Sequence, residues 1–443
     1  MLDTPRDADL VRLHAAHVRH LERAYAEVME RLGLDALVLH SGSLHLRSAF
    51  DDQYWPLRVV PHFAHWLPLA HPDSAMVIVP GRRAQLVWAR SSSFWESPAL
   101  PEWDGWRAAL DVKEVDGPRA VKDLLPRGRR AFIGDGAIAL DWGFASAECN
   151  PVEATRALDH LRVTKTDYEI ACLAEANRRA AVGHARVAEA FAASDRSELE
   201  LHLLYLAATA QDDPETPYKN IVAEGAHAAT LHHIDYSRHK TTAQSLLLDA
   251  GATFLGYASD ITRTHVKRGA TSAATTTFAQ LLEGMDKLQK HLCADVQINK
   301  PYEALHEASH RLVAELLREA GLVKLSVEEA DARGVTRAFF PHGLGHSLGL
   351  QTHDVGCAEI KPRARNPFLR NTTTIAAGQV FTVEPGLYFI DGLLEPLRAS
   401  PEGSAVSWPL VDALRPLGGI RIEDDLLVGA AGTRNLTREV LPS

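Results

Sequence analysis

The sequence predicts an α/β (α+β) fold in two domains, and three observations carry that prediction. The chain has 443 residues, more than one hydrophobic core usually serves. Its first third mixes helix-period and strand-period apolar runs, whereas the remainder places several strand patterns in succession without helices between them. Such a run is expected of a mainly antiparallel sheet flanked by helices. The composition, 46% hydrophobic, 23% charged and 7% aromatic, is that of a globular chain and excludes disordered and collagen-like classes.

Taken in order, Val11–Leu32 has amphipathic helical spacing, and Ala36–Leu39 and Ala75–Val79 read as apolar strands. Between them, Asp51–Pro56 forms a polar and aromatic loop. A further strand, Ala131–Gly134, ends near a Gly/Asp turn. Thr166 followed by Glu169 is a capping box opening a helix over 166–192. The expected boundary near there gives an N-terminal domain, 1–157, and a C-terminal domain, 158–443. In the second domain, helical patterns run near 198–210, 277–294 and 302–320, and strands at 245–250, 256–266, 379–384 and 420–427.

Charge and cysteine content narrow the function. With 47 Lys+Arg against 57 Asp+Glu the net charge is −10, which argues against nucleic-acid binding because that needs basic groups on phosphates. No apolar run approaches the roughly 20 residues of a membrane span. The opening Met1–Asp7 stretch lacks the apolar core of a signal or transit peptide, so a cytoplasmic protein is expected. Cys149, Cys172, Cys293 and Cys357 lie far apart, which suits free thiols in a reducing compartment. The surplus is histidine, 22 residues.

The chemistry gathers on the C-terminal strands. Leu246-Leu247-Leu248-Asp249-Ala250-Gly251 ends an apolar strand on a carboxylate, which is costly to bury without compensation. Asp260 follows in Ser259-Asp260-Ile261-Thr262-Arg263, and a hairpin would set it beside Asp249. Glu384, in Thr382-Val383-Glu384-Pro385-Gly386, shares a strand face with Thr382, and Glu423 shares one with Arg421. The glycine-flanked Pro341-His342-Gly343-Leu344-Gly345-His346 can bring one imidazole close. Four carboxylates would match two divalent ions. The expected enzyme is a dinuclear hydrolase whose ions, about 3.5–4 Å apart, share a bridging hydroxide. Oxygen-rich ligation favours Mn²⁺, with Co²⁺, Fe²⁺ or Zn²⁺ also accommodated.

These blocks, with Gln351-Thr352-His353-Asp354-Val355-Gly356 and Gly418-Gly419-Ile420-Arg421-Ile422-Glu423-Asp424, resemble the pita-bread metallopeptidases, and within them the bacterial Xaa-Pro dipeptidases, or prolidases. The likeness extends to Asp35–Gly42 and Tyr218–Ala223. It implies a creatinase-like α/β N-terminal domain for dimerisation and pocket closure, and a C-terminal pita-bread domain with a curved, mainly antiparallel sheet flanked by helices. It implies Asp249, Asp260, His346, Glu384 and Glu423 as metal ligands, with Asp260 and Glu423 bridging and Glu384 also shuttling protons. It implies His342 and His353 as catalytic, and His232, Arg370, Arg421, Tyr218 and Tyr302 as substrate-binding. Cleavage of Xaa-Pro dipeptides is the implied activity, in a homodimer whose Asp51–Tyr54 loop closes the partner's pocket. Organophosphorus esters are a possible side substrate through similarity to organophosphorus acid anhydrolases. The rival within the family is aminopeptidase P-type cleavage of longer peptides, and a metal-free binding paralogue is disfavoured by the intact ligand set. His233 departs from the tyrosine more frequent there.

One motif is a decoy. His306-Glu307-Ala308-Ser309-His310 spells HExxH, two zinc ligands and a base on one helical face in zinc proteases. Here Leu305, Leu312, Val313 and Leu316 put it on a core-facing stripe, and the expectation is a structural role.

Overall fold

The computed structural model describes residues 7–90, 101–356 and 360–441. Cys357 and the Met1–Arg6 stretch lie outside the described residues. Two compact units divide the chain: Met1–Cys172 with Leu255–Tyr257, and Leu173–Phe254 with Ala258–Ser443.

The first unit is built on a five-stranded mixed sheet. Its strands are β1 (Ala36–His40), β2 (Ala75–Ile78), β3 (Gln85–Arg90), β4 (Asp111–Asp116) and β5 (Arg130–Ile133), in the order β4-β3-β2-β1-β5. β1–β5 and β3–β4 are parallel, and the remaining pairs antiparallel. Both faces are buried, which is why β1 reads as an unbroken apolar run. Leu37, Leu39, Met76 and Ile78 pack on one side with Val18, Leu21 and Tyr25 of helix Asp7–Leu32, while Val38, Val77 and Phe132 pack on the other with Trp142 and Phe144.

The opening residues of helix Asp167–Ala193 count with this unit for a physical reason. Glu169 is buried between His17 and His65, and Tyr168 packs edge-on against His14. The capping box forms by half: Glu169 Oε2 accepts from Thr166 N at 2.8 Å, while the Thr166 hydroxyl turns to Glu169 and to His17 Nδ1.

In the second unit every described strand pair is antiparallel. β6 (Ile221–Glu224) and β7 (Ser245–Asp249) are followed by the two-residue strands β8 (Thr253–Phe254) and β9 (Tyr257–Ala258), then β10 (Thr262–Val266). Next come β11 (Val380–Val383), β12 (Gly386–Tyr388), β13 (Gly419–Arg421), β14 (Asp424–Gly429) and β15 (Gly432–Asn435). Apart from β8 and β9, which pair with each other, they form the sheets β10-β7-β6, β11-β14-β15 and β12-β13. The expected strand over 256–266 breaks before Thr262, and those expected over 379–384 and 420–427 stop at Val383 and break at Ile422–Glu423. Pro385 removes one ladder N–H, the single bridge Thr262↔Glu423 spans the break between β13 and β14, and Ser347↔Phe381 adds a bridge on β11. Helices Ala273–Ala294 and Tyr302–Glu319 close the core over these strands, with Phe278, Met285, Val313 and Leu317 buried beside Phe381, Val383 and Leu426.

Candidate metal centre

Four of the five expected ligands sit at a strand end or break of the second unit. Asp249 ends β7, Asp260 precedes β10, Glu384 lies between β11 and β12, and Glu423 between β13 and β14. At such positions the backbone leaves the ladder and several side chains can turn to one point. His346 is held against β11: its N–H donates to Thr382 Oγ1 at 3.1 Å and its carbonyl accepts from Thr382 N at 2.9 Å. That approach needs glycine before it, because a Cβ on Gly345 would lie 2.2 Å from the Thr382 carbonyl oxygen.

The side chains converge. His346 Nε2 is 3.3 Å from Asp260, 3.6 Å from Glu384 and 4.0 Å from Glu423. The Tyr218 hydroxyl is 2.7 Å from Asp249 Oδ1 and 2.6 Å from Asp260 Oδ1. Thr262 donates to Glu423 Oε2 at 2.6 Å. Asp260, His346 and Glu423 offer donor atoms all within 4.8 Å of one another.

Electrostatics fit a cation. Burial and then neighbouring carboxylates push Glu423 well above the carboxylate range, and burial lifts Glu384 to about 7 and raises Asp249. Burial opposes a charged His346, but the facing Asp260 and Glu384 outweigh it and raise the imidazole to about 9. Such a set of buried, mutually repelling carboxylates with one imidazole matches hard or borderline divalent ions. Glu384, with 16% of its side chain exposed against 2–11% for the other four, is the expected ligand most open to solvent.

The remaining expected residues divide. His342 lies beside Glu384, Nδ1 3.7 Å from its Oε2, and its Nε2 meets the Tyr388 hydroxyl at 2.8 Å. Burial, then the Arg421 charge, lowers it to about 3, so it is neutral at working pH. The His353 ring packs edge-on against His346 at 4.4 Å. His232 and Arg370 are exposed, and their charges reach His353. The Arg370 backbone also lies against the His342–Gly343 turn.

Three assignments change. Tyr218, expected to meet substrate, has its hydroxyl held between Asp249 and Asp260. Arg421 is buried and its guanidinium is engaged three ways, with Asp249 Oδ2 at 2.5 Å, the Tyr388 hydroxyl at 2.9 Å and Thr262 Oγ1 at 3.1 Å. Those contacts commit within the cluster a group that was expected to receive a substrate carboxylate. Tyr302 is fully buried and donates to the Thr382 carbonyl at 2.7 Å, so it props the β11 backbone and does not line a pocket. The HExxH pair is core, as expected: His310 meets Thr336 Oγ1 at 3.2 Å, and Glu307 turns to Arg363.

Tyr388 and Thr262 were not singled out by sequence reasoning. Both carried a signal, since Tyr388 is four residues from Glu384 and Thr262 two from Asp260, the period of a strand face. Asp424 and Asp425 add a deeper layer: Arg263 pairs with Asp424 at 2.7 Å, and Asp425 accepts from Asp260 N at 3.1 Å.

Buried carboxylates and an imidazole gathered where antiparallel strands break define a metal-dependent hydrolase. The chain belongs to Metallopeptidase family M24, whose model matches residues 171–430. A second model, described as Xaa-Pro dipeptidase, N-terminal domain, matches residues 12–162. Among curated relatives, the Xaa-Pro dipeptidase of Marinobacter nauticus is 41% identical over 434 residues, covering 97% of this chain and 99% of its own. That of Pseudoalteromonas atlantica is 38% identical over 443 residues with the same coverage. Among solved structures, zinc-substituted Escherichia coli aminopeptidase P in complex with product aligns at TM-score 0.73 and 23% identity, over 96% of this chain and 95% of that one, a likeness of fold.

Proposed function

We propose that the protein is an Xaa-Pro dipeptidase, releasing a free amino acid and proline with two divalent ions, Mn²⁺ first among them, held by Asp249, Asp260, His346, Glu384 and Glu423. The observation that carries the reading is the convergence of those five side chains in a chain about 40% identical, nearly end to end, to Xaa-Pro dipeptidases. Divalent ions in such a site supply Lewis acidity toward a carbonyl and toward water.

The chain's own groups take the other tasks. Glu384, the ligand nearest solvent, accepts and returns the proton at its carboxylate, and the neutral His342 beside it offers a hydrogen bond without adding charge. His353 and His232 face the substrate. Arg370, exposed and free of the commitments that hold Arg421, takes the proline carboxylate and so measures a dipeptide's length. An Xaa-Pro bond has no N–H to read, and none of these groups requires one.

The reading includes a cytoplasmic homodimer in which the N-terminal domain's Asp51–Tyr54 loop closes the partner's pocket; Phe50, Tyr54 and Trp55 are exposed there in the single chain. Slow turnover of organophosphorus esters belongs to it as a side activity. Among the described residues no helix is long and apolar enough to cross a membrane. The decisive assay compares Xaa-Pro dipeptides with Xaa-Pro-Yaa tripeptides on metal-loaded protein. Dipeptide cleavage alone is expected, and a preference for tripeptides would instead support aminopeptidase P-type action.

A further inference from the structure

Outside the five-ligand cluster, one other set of three His, Cys, Asp or Glu side chains among the described residues brings its donor atoms within 4.8 Å: Glu198, His227 and His233. Three separate segments supply them. Glu198 opens helix Glu198–Thr209, His227 lies in the 3-10 turn Gly225–Ala229, and His233 follows in the irregular stretch after it.

The Glu198 side chain is fully buried, and among the described residues its ion-pair partners are those two imidazoles, with no lysine or arginine. A carboxylate so placed carries a charge that neutral imidazoles do not balance. Each oxygen has the same pair of neighbours. Oε1 accepts from Glu224 N at 2.9 Å and faces His227 Nδ1 at 2.7 Å, while Oε2 accepts from Ser237 N at 2.7 Å and faces His233 Nε2 at 2.9 Å. The backbone N–H groups therefore fix the carboxylate from behind, the part that outer hydrogen bonds play around metal ligands. The imidazole rings lie with centroids 4.5 Å apart and planes at 28°, close enough for one ion to reach both nitrogens. Two imidazoles and a carboxylate are one of zinc's three-ligand sets, with the fourth place taken by water. The His227 side chain is 52% exposed, which leaves a route for ion and water.

We infer that Glu198, His227 and His233 form a third metal site, taking one Zn²⁺ or similar borderline divalent ion, with no residue in common with the five-ligand cluster. Binding moves each imidazole proton to the far ring nitrogen and leaves the backbone hydrogen bonds on Glu198 intact. An ion there fastens the Gly225–Ser237 segment, which carries His232, to the start of the helix. His233 supplies the third donor atom of the set.

The test is zinc content by elemental analysis after equilibration with Zn²⁺ and removal of free ion, using full-length protein. Four chains are compared: wild type, His233→Tyr, Asp260→Asn and the double variant. His233→Tyr keeps a hydroxyl for Glu198, and His227→Asn serves as a second variant should it misfold. The expected result is one ion fewer per chain in His233→Tyr than in wild type, and in the double variant than in Asp260→Asn. An unchanged count in both comparisons overturns the site. Because each comparison holds the five-ligand cluster constant, the loss is read whatever Asp260→Asn itself retains.

Discussion

At the scale of single residues, Tyr218 stands outside the proposed ligand set but bonds to two of its members. Its hydroxyl stands 2.7 Å from Asp249 and 2.6 Å from Asp260, and burial with those carboxylates raises it well above the usual phenol range, so it stays a donor. One proton cannot serve both oxygens at once, and the hydroxyl sets the spacing of the two aspartates. Tyr218→Phe keeps the ring's packing and removes only that restraint. Divalent-ion affinity, measured by competition with a chelating dye, is expected to fall about 10- to 100-fold with the circular dichroism spectrum unchanged; equal affinity would deny Tyr218 this role. The period of two leads the eye to Thr382 and Glu384 on one face, and the same period extends to Tyr388. Arg421 was misjudged for a physical reason. Alternation places it on the face of Glu423, while its guanidinium pairs with Asp249 on β7, a contact between distant strands that spacing along one strand does not reveal.

At the scale of elements, the helices were legible because their apolar stripes are long: Asp7–Leu32, Ala273–Ala294 and Tyr302–Glu319 lie where spacing put them, within a few residues. Strand β4 was not, since Asp111-Val112-Lys113-Glu114-Val115-Asp116 is a polar edge strand with two apolar residues. The strand breaks were not legible either, because the side chains that interrupt the ladder do so for the site and against β propensity. Gly345 tests how tightly the β11 register holds His346. A methyl there would sit 2.2 Å from the Thr382 carbonyl oxygen and 2.4 Å from the Tyr302 hydroxyl, so Gly345→Ala must shift the His346 backbone. Loss of bound metal and of activity is expected. Gly392, in helix Asp391–Ala399 with open space around it, is the control: Gly392→Ala should keep both and gain up to about 1 kcal/mol. Metal retained by Gly345→Ala would show that the turn can yield.

At the scale of the whole molecule, the histidine surplus becomes a statement about acid stability. One imidazole is a proposed ligand of the two-ion cluster and two more of the third site, but a larger group is simply buried and neutral. Burial lowers His14, His265 and His306 to about 4, and His17 and His184 to about 3. In the unfolded chain each returns to about 6.5. The unfolded state therefore binds more protons below that value, so the stability these residues contribute is complete above about pH 6.5 and is lost as pH falls toward 4. Each imidazole costs up to about 1.4 kcal/mol per pH unit in that window. Acid also strips metal, so the measurement belongs on metal-free protein; there burial raises the carboxyls of Glu384, Glu423 and Asp249, which take up protons in the folded state and act in the opposite sense, so wild type is read against a variant that keeps them. Thermal midpoints taken from pH 7.5 down to 5 should fall in wild type relative to His265→Gln once the pH passes below about 6.5. His265→Gln, which replaces one such ring by a group that does not titrate, should flatten the acid limb by about one proton's worth of slope. A limb unchanged by His265→Gln would mean that burying such an imidazole does not weaken the fold in acid.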